Sequence, residues 1–449
     1  MKSIRKPVIV ALNFVILLLL LSGCNDSMNN GPKNSNNDIQ NKTAGSRQLA
    51  GDLELQIFVG GYGDEFWKKA IDIFKKENPE VNVIAHMGAN VNTLLRARWM
   101  SNNPPDFVYY DGPGFDYTQY VSEGKIMDLK EWFDTAKTVD GVGLIKDNIY
   151  KGFLKEENGK IYSAPYIFTA LGMWYNAKFF RDNHIAVPSN FDEFLEVSSE
   201  LKKLNAALMV HPGMWPSYLI GGFLRQELAL EGGEQIFNDI NLFKQDVFVS
   251  STFIRAMSKL EILSKTDNGI LQNSVYLDHI GAQLAWLDGK AAFIPNGLWL
   301  EREMEKEIPD GFELSFIPSV IQDKSQKYIF CSYSTNVCLS SMGKNPENAK
   351  AWLAFLYRED ILKEFTRTVG IPTAYQMDLS DFHISDTISS VQKWVADPNV
   401  IFFPVPAIKQ QIEQIIGKGM TDVLNGKINS LEACSQIQKE VNRINPYEN

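Results

Sequence analysis

The chain has 449 residues, of which 45% are hydrophobic and 12% aromatic, and its formal net charge is −10. One hydrophobic core usually organises roughly 100 to 200 residues, so this length predicts more than one folded lobe. The acidic balance and the lack of a basic block disfavour a polyanion such as nucleic acid as the ligand. A neutral ligand fits this composition better.

The N-terminus combines a basic start with an apolar run. Residues 1–6 contain three basic side chains, and the apolar run 7–21 is shorter than the ~20 residues that a membrane-spanning helix needs. The sequence LSGC at 21–24 closes this segment, which resembles a lipoprotein signal peptide. The resemblance implies cleavage before Cys24, a lipid on its thiol and a protein anchored at the extracellular face of the cell membrane. The alternative is an ordinary signal peptide in which the cysteine occurs by chance.

A polar segment follows the leader. Residues 25–48 include seven Asn together with Ser, Gly, Lys and Asp and almost nothing apolar. Such a segment cannot bury enough apolar surface to offset the entropy lost on ordering. We therefore predict a lipidated cysteine and a disordered tether over 24–51, which serves either to let the folded body reach a membrane partner or simply as a spacer.

The folded part opens with a strand, a turn and a helix. Apolar residues alternate along 53–59, a pattern typical of a strand. The glycine-rich turn 60–63 follows, and Asp64 is placed to cap a helix that stops at the Asn-Pro pair 78–79. The side chains that the helical spacing assigns to the core are Phe66, Trp67 and Phe74.

A second strand starts at Val81, so the chain forms a β-turn-α-β unit, which requires a parallel sheet covered by helices. Ligands of such sheets bind beyond the carboxyl ends of the strands. Tyr62 and Asp64 lie there and are candidates, although Asp64 alternatively only caps its helix. Asp111 ends the next predicted strand, 106–111, and is a third candidate.

Short motifs then recur in a fixed order along the chain. They are PPDFV (104–108), GKIMDL (124–129), GKIYSAP (159–165), WYNAKFF (174–180), GKAAF (289–293), GLW (297–299), NPENA (345–349) and GIPT (370–373). In this order they resemble the carbohydrate-type extracellular solute-binding proteins of ABC importers. The resemblance covers nearly the whole chain after the tether, and its departures, at 188–191 and 371–373, concern caps and packing.

The resemblance implies an α/β fold of two lobes, each a mostly parallel sheet flanked by helices, joined by hinge strands that cross near Pro165, near Phe330 and after Pro372. The lobes would comprise 52–165 plus 330–376 and 166–329 plus 377–449. Ligand binding would close the cleft by hinge motion, and the permease of the importer would read the closed form. A monomer suits a protein that presents both lobes to a permease.

A sugar ligand would require particular side chains. Its C–H faces pack on flat aromatic rings, and its hydroxyls need polar partners. Trp299 lies where this family often presents a stacking aromatic, Trp215 lies in a loop broken by Pro and Gly, and Trp286 on an amphipathic helix reads as core. The candidate ligand-binding residues are Tyr62, Asp64, Asp111, Tyr166, Trp215, Tyr218, Asn296 and Trp299.

Segments 88–95 and 111–114, with the Trp215 loop, look most like the N-acetylglucosamine and chitooligosaccharide subgroup. An acetamido group would need an amide partner, for which Asn92 and Asn296 are candidates. Other oligosaccharides remain open.

Two other classes of function stay open. A glycan-degrading enzyme would need two facing carboxylates, which the acidic composition does not exclude, although no G-x-S-x-G, H-E-x-x-H or Walker motif occurs. A peptide or metal-chelate receptor is a further alternative, because the fold does not dictate the ligand. No cofactor or metal site is predicted. Beyond Cys24 there are Cys331, Cys338 and Cys434, and the first two either pair across a strand or are buried thiols.

Overall fold

The computed structural model describes residues 49–379, 382 and 385–446. These residues belong to one compact unit, 49–449. The predicted signal peptide, Cys24 and the tether up to residue 48 lie outside the described residues. No helix in the described part is both long enough and apolar enough to cross a membrane.

Strands and helices alternate along the chain. The strands are β1 (Gly51–Phe58), β2 (Val81–Gly88), β3 (Phe107–Tyr109), β4 (Ala164–Asn176), β5 (Ala207–Met209), β6 (Ala291–Gly297), β7 (Leu314–Ile317), β8 (Tyr328–Leu339) and β9 (Val400–Pro404). The helices are α1 (Glu65–Glu77), α2 (Val91–Met100), α3 (Tyr117–Ser122), α4 (Lys130–Thr135), α5 (Ala177–Asp182), α6 (Phe191–Lys203), α7 (Ser217–Leu219), α8 (Arg225–Asn241), α9 (Ser251–Lys265), α10 (His279–Leu287), α11 (Leu300–Glu303), α12 (Pro346–Leu356), α13 (Glu359–Val369), α14 (Asp386–Ala396), α15 (Gln410–Leu424) and α16 (Ser430–Arg443).

The described strands form one sheet in the order β2-β1-β3-β8-β4-β6-β5, with β7 beside β4 and β9 beside β8. β1 runs parallel to β2 and β3, and β5 runs parallel to β6. Every antiparallel pairing of the described strands involves β4 or β8. The two long strands therefore join two sets of parallel strands, and the predicted parallel β-turn-α-β unit is confirmed.

Helix α1 shows why its sequence folds this way. Its apolar side chains recur on one face, and Phe66, Trp67 and Phe74 are at most 2% exposed, as predicted. Phe66 packs edge-on against Phe365 of α13 at 5.0 Å, and Phe74 packs against Trp352 of α12 at 5.1 Å. Helices from the far end of the chain thus cover the first strand unit. Trp286 of α10 is also buried, as predicted, and it donates its Nε1 hydrogen to the Ala292 carbonyl at 3.2 Å.

The three predicted crossing segments lie side by side. Pro165 is in β4 and Phe330 is in β8, and these strands pair antiparallel with an irregularity between Pro165 and Ile167. The third segment joins them, because the Phe168 amide donates to the Pro372 carbonyl at 3.2 Å. The Ala374 amide donates to the carbonyl of Tyr166 at 2.8 Å. The three segments predicted as hinge crossings therefore lie next to one another.

The cysteines of the folded part are buried thiols. Cys331 and Cys338 lie within β8, which extends beyond both, and both are free. Burial raises the pKa of Cys331 to about 12, so its thiol is protonated at neutral pH. Cys434 is also free and buried. The disulfide alternative is therefore wrong, and the buried-thiol interpretation is confirmed.

Candidate functional site

A cavity of about 510 Å³ opens beside the two long strands. This volume is within the range of small-molecule sites. Its walls come from distant parts of the chain: Asp111 after β3, Tyr218 in α7, Trp299 before α11, and Ser332 to Ser334 in β8. Ligand contacts made here would therefore link both sets of strands.

Trp299 contributes an aromatic side chain to the cavity wall. It follows the β6 strand and precedes α11. A Cβ added at Gly297 would lie 2.1 Å from the indole Cζ3, and a Cβ added at Gly61 would lie 3.0 Å from its Cδ1. Glycine at both positions lets the backbone approach the ring closely. The indole is thus held between the turn after β1 and the end of β6, while one part of it faces the cavity.

Tyr62 fixes the other side of this ring. It contacts Trp299 edge-on with the ring centroids 6.1 Å apart. Its hydroxyl and that of Thr169 in β4 lie 2.8 Å apart, a hydrogen bond in which either can donate. Burial raises the pKa of Tyr62 well above its usual range, so the phenol stays neutral. Tyr62 therefore packs against the Trp299 ring and is itself buried.

Asp111 supplies a carboxylate to the cavity wall. Its Oδ1 accepts the Gly112 amide hydrogen at 2.8 Å, and its Oδ2 lies 3.4 Å from the Tyr109 hydroxyl. The side-chain amide of Asn92 donates to the Asp111 carbonyl at 2.8 Å. Burial raises the pKa of Asp111, and the two hydrogen bonds to its carboxylate partly offset that effect. The loop is thus fixed, with the acid presented to the cavity.

Arg225, Glu413 and Tyr333 also line the cavity, and the sequence analysis missed them. Arg225 Nη2 lies 3.2 Å from Glu413 Oε2, and the two side chains are mostly buried. Arg225 Nε is buried and has no hydrogen-bond partner in the described part of the chain. A buried donor without a partner is costly. No local pattern signals this pair, because α8 and α15 are far apart in sequence.

Tyr218 and Trp215 differ in their relation to the cavity. Tyr218 lines the cavity and packs edge-on against Trp299 at 5.9 Å. Burial raises its pKa. Trp215 does not line the cavity, and its side chain is 48% exposed. The two residues belong to one loop and helix but have different surroundings.

Asp64 and Tyr166 do not line the cavity. Asp64 precedes α1, but its carboxylate does not cap the helix; it pairs with Lys68 at 2.7 Å on the surface. Tyr166 is fully buried, with its ring 5.6 Å from Phe365, because β4 begins before it and turns its side chain into the core. We therefore leave both side chains out of the ligand contacts proposed below.

The two candidate amides are also away from the cavity wall. Asn92 is buried, and its Oδ1 accepts from Gln56 at 2.9 Å while its Nδ2 holds the Asp111 loop. Asn296 is fully buried, and its Oδ1 accepts the Gly297 amide at 2.7 Å. Asn92 therefore helps to position the Asp111 loop, whereas the Asn296 Nδ2 is buried and has no hydrogen-bond partner among the described residues.

The cavity combines two kinds of recognition. The rings of Trp299 and Tyr218 offer flat apolar faces, whereas Asp111, Arg225 and Glu413 offer charged hydrogen-bonding groups. The Arg225 charge is paired with Glu413, so the site does not present a strong single-sign field. Among the described residues no group of three His, Cys, Asp or Glu side chains could hold a metal ion. A neutral molecule with apolar faces and hydroxyl groups fits these features.

Two sets of parallel strands joined by long shared strands, with a cavity beside them, define the class of two-lobe binding proteins. The predicted fold class is confirmed. Residues 60–362 match the bacterial extracellular solute-binding protein family, and the chain belongs to this family. It is therefore a solute-binding component of an ABC importer and not an enzyme.

Individual relatives of the chain are sugar-binding proteins. The chain is 26% identical over 332 residues to a diacetylchitobiose binding protein, NgcE, of Streptomyces coelicolor, covering 72% of this chain and 69% of that one. It is 22% identical over 317 residues to a multiple sugar-binding protein of Streptococcus mutans, covering 69% and 72% of the two chains. The structure of a chitin oligosaccharide binding protein superposes with a TM-score of 0.71 at 17% identity, covering 88% of this chain and 99% of the other.

Proposed function

We propose that the protein captures a sugar or oligosaccharide in the cavity at Trp299 and delivers it to the permease of an ABC importer. The observation that carries this proposal is the Trp299 indole, held between Gly61 and Gly297 and presented to a cavity of about 510 Å³. A rigid aromatic face suits the apolar side of a pyranose ring, since little entropy is lost when the sugar packs on it.

The polar wall would bind the hydroxyls of the sugar. Asp111 can accept hydrogen bonds from these hydroxyls, and the Arg225 guanidinium, which also lines the cavity, can donate to them. Hydrogen bonds to charged groups are stronger than neutral ones and require a fixed geometry. Both residues are held, Asp111 by the Gly112 amide and Arg225 by Glu413. We assign to them the selection among sugars that share the same apolar face.

The ligand class that we propose is N-acetylglucosamine and its β-1,4-linked oligomers. The Streptomyces coelicolor relative is a diacetylchitobiose binding protein, which supports this class, and so does the resemblance of the Trp215 loop and the segment after β3 to that subgroup. The neutral balance of the Arg225 and Glu413 pair is compatible with an uncharged amino sugar.

The remaining parts of the proposal concern anchoring and motion. We propose a lipid on Cys24, which the sequence LSGC at 21–24 supports, and lobes of 52–165 plus 330–376 and 166–329 plus 377–449 that close as a monomer. The mass of the mature protein tests the anchor, because cleavage before Cys24 and acylation change it in a defined way. Replacement of Cys24 by Ser should release the protein from membranes.

The decisive experiment titrates the chain from Ala50 onward with a panel of sugars. Calorimetry measures binding, and melting curves measure the change in stability. We expect saturable binding of N-acetylglucosamine or its dimer without consumption of the sugar. A ligand that binds only the folded state at 100 times its Kd stabilises by about 2.7 kcal/mol, which a melting curve resolves. Maltose, xylobiose, a tripeptide and a ferric chelate serve as controls.

Three results would contradict the proposal in different ways. Binding of maltose or xylobiose alone would keep the sugar function and refute the amino-sugar ligand. Binding of the peptide or the chelate alone would keep the fold and refute the sugar. Hydrolysis of the dimer would contradict a pure binding role.

A further inference from the structure

Arg225 and Glu413 form an ion pair within the wall of the cavity. Arg225 Nη2 lies 3.2 Å from Glu413 Oε2, and the two side chains are only 13% and 23% exposed. Water and salt screen such a partly buried pair less than they screen a pair on the surface. The pair therefore controls the charge that a ligand meets at this part of the wall.

The charged groups of the whole cavity wall balance one another. Among the described residues that line it, Asp111 and Glu413 are acidic, and Lys155 and Arg225 are basic. Tyr333 also lines the cavity, and burial raises the pKa of its phenol, which stays neutral. The wall thus has no net formal charge, and Glu413 supplies one of its two negative charges.

Close packing of helix α15 brings Glu413 to Arg225. Gly417 lies one turn after Glu413 and on the same face of α15. A Cβ added at Gly417 would lie only 2.8 Å from the Cβ of Pro216, so glycine lets the helix approach closely there. Pro216 directly precedes α7, and the chain continues from α7 through 220–224 into α8, which begins at Arg225. The position of the Glu413 carboxylate is therefore set by the fold.

An arginine without a counter-charge is a receptor for carboxylates. Its planar guanidinium can donate two parallel hydrogen bonds to a carboxylate, and such contacts are stronger than those to neutral hydroxyls. In this cavity the Glu413 carboxylate already pairs with Arg225. A ligand carboxylate at the same place would meet a like charge where screening is weak, whereas a neutral hydroxyl would not meet this repulsion.

We infer that Glu413 is a specificity-determining residue that keeps acidic sugars, such as uronic acids, out of the cavity. The inference rests on the proposed function, because it requires that a sugar occupies this cavity. Glu413 acts through Arg225, whose charge it neutralises. The ligand class thus narrows to uncharged sugars, and one substitution at Glu413 should widen it.

The experiment compares one neutral disaccharide with its acidic derivatives. The neutral ligand is the β-1,4 dimer of N-acetylglucosamine. Each acidic ligand is the same dimer with the C6 hydroxymethyl group of one residue, either the reducing or the non-reducing one, oxidised to a carboxylate. Calorimetry measures the Kd of all three for the full-length protein and for its Glu413→Gln variant, in which an amide oxygen can still accept from Arg225.

We expect the unmodified protein to bind both acidic dimers at least about tenfold more weakly than the neutral one. Glu413→Gln should improve the Kd of at least one acidic dimer by about tenfold, because the guanidinium is then free of its counter-charge. Since the gain is electrostatic, it should shrink as the NaCl concentration rises.

Two further variants test whether the effect passes through this ion pair. Glu234→Gln is the matched control, because Glu234 is exposed on α8 and the change removes the same charge from the protein. It should leave the Kd values of all three dimers unchanged. The double variant Arg225→Gln with Glu413→Gln lacks the guanidinium and should lose the gain for the acidic dimers. An equal gain in either variant would refute a role of the pair.

The outcomes separate this inference from the proposed function. If the neutral dimer binds and Glu413→Gln gains no affinity for either acidic dimer, the inference is refuted while the sugar-binding function stands. Equal affinity of the unmodified protein for neutral and acidic dimers would also refute it, and this comparison holds even if a variant fails to fold. If the unmodified protein binds none of the dimers, the proposed amino-sugar ligand fails first. Melting curves show whether each variant is folded.

Discussion

Two groups of aromatic rings in this protein have similar chemistry and opposite surroundings. The first, around Tyr166, contains Phe66, Trp67 and Phe365, all at most 2% exposed. The second comprises Trp299 and Tyr218, which line the cavity, together with His279 and the half-exposed Trp215. In the first group, helices α1 and α13 close over the rings. In the second, glycines at 61 and 297 let the backbone approach the Trp299 ring closely, and the ring still lines the cavity. The difference shows that neighbouring residues, more than ring type, decide whether an aromatic side chain serves stability or binding.

The strongest test of this comparison is Phe66→Ala in the closed group. Phe66 lies 5.0 Å from Phe365 and 5.2 Å from Trp67 and is only 2% exposed. Removing such a buried ring should lower the free energy of unfolding by about 3 to 5 kcal/mol. Urea denaturation measures this loss. Sugar affinity of the folded fraction should stay within about twofold, and Phe66→Leu should restore most of the stability. A large loss of affinity in a folded variant would contradict the separation of the two groups.

Trp299→Ala should show the reverse pattern. The central aromatic of a ligand site commonly contributes 2 kcal/mol or more to binding, so we expect the Kd of the dimer to rise by at least about 30-fold. Because the ring already borders a cavity, its removal should cost less stability than Phe66→Ala. Calorimetric titration beside a melting curve measures both quantities. Unchanged affinity would remove Trp299 from the site and with it the main support for a sugar ligand.

Much of the fold follows from local sequence patterns. The alternation along β1, the apolar face of α1 and the stop before Pro79 predict a parallel unit, and the structure contains it. These features depend on residues only a few positions apart, which is why periodicity detects them. The motifs spaced along the chain extend the prediction to the family. Of the predicted site residues, Asp111, Tyr218 and Trp299 line the cavity.

The missed features depend on contacts between distant parts of the chain. Arg225 and Glu413 are 188 positions apart and meet only because the fold brings α8 and α15 to the same cavity. Tyr166 resembles a hinge-loop residue in sequence, but it is fully buried, and the rings of Tyr357 and Phe365 from a distant part of the chain pack against it. Asp64 has the sequence context of a cap, yet Lys68 one turn later binds its carboxylate. No local rule could have decided the first two cases, whereas the i,i+4 spacing of Asp64 and Lys68 is a local signal for their ion pair.

The smallest expected effect concerns Asp111, which lines the cavity together with Trp299 and Tyr218. Burial raises the pKa of Asp111, so the folded protein disfavours its charged form relative to the unfolded chain, where such a carboxyl titrates near ~3.9. The resulting loss of stability is present above the folded pKa and disappears as the pH falls toward that of the unfolded chain. Asp111→Asn, which is neutral at every pH, should therefore raise Tm at pH 7, and the difference should vanish near pH 4.

The same substitution should weaken sugar binding at pH 7 by at least about tenfold, because a hydrogen bond to a charged acceptor is replaced by one to a neutral amide. Asn retains an acceptor for the Gly112 amide, so the loop should keep its shape. Melting curves from pH 4 to 8 without sugar and titrations at pH 7 measure the two effects. A lower Tm at pH 7 would mean that the hydrogen bonds from Gly112 and Tyr109 outweigh burial. Asp111 would then stabilise the fold, as the closed group does, instead of lowering stability in favour of binding.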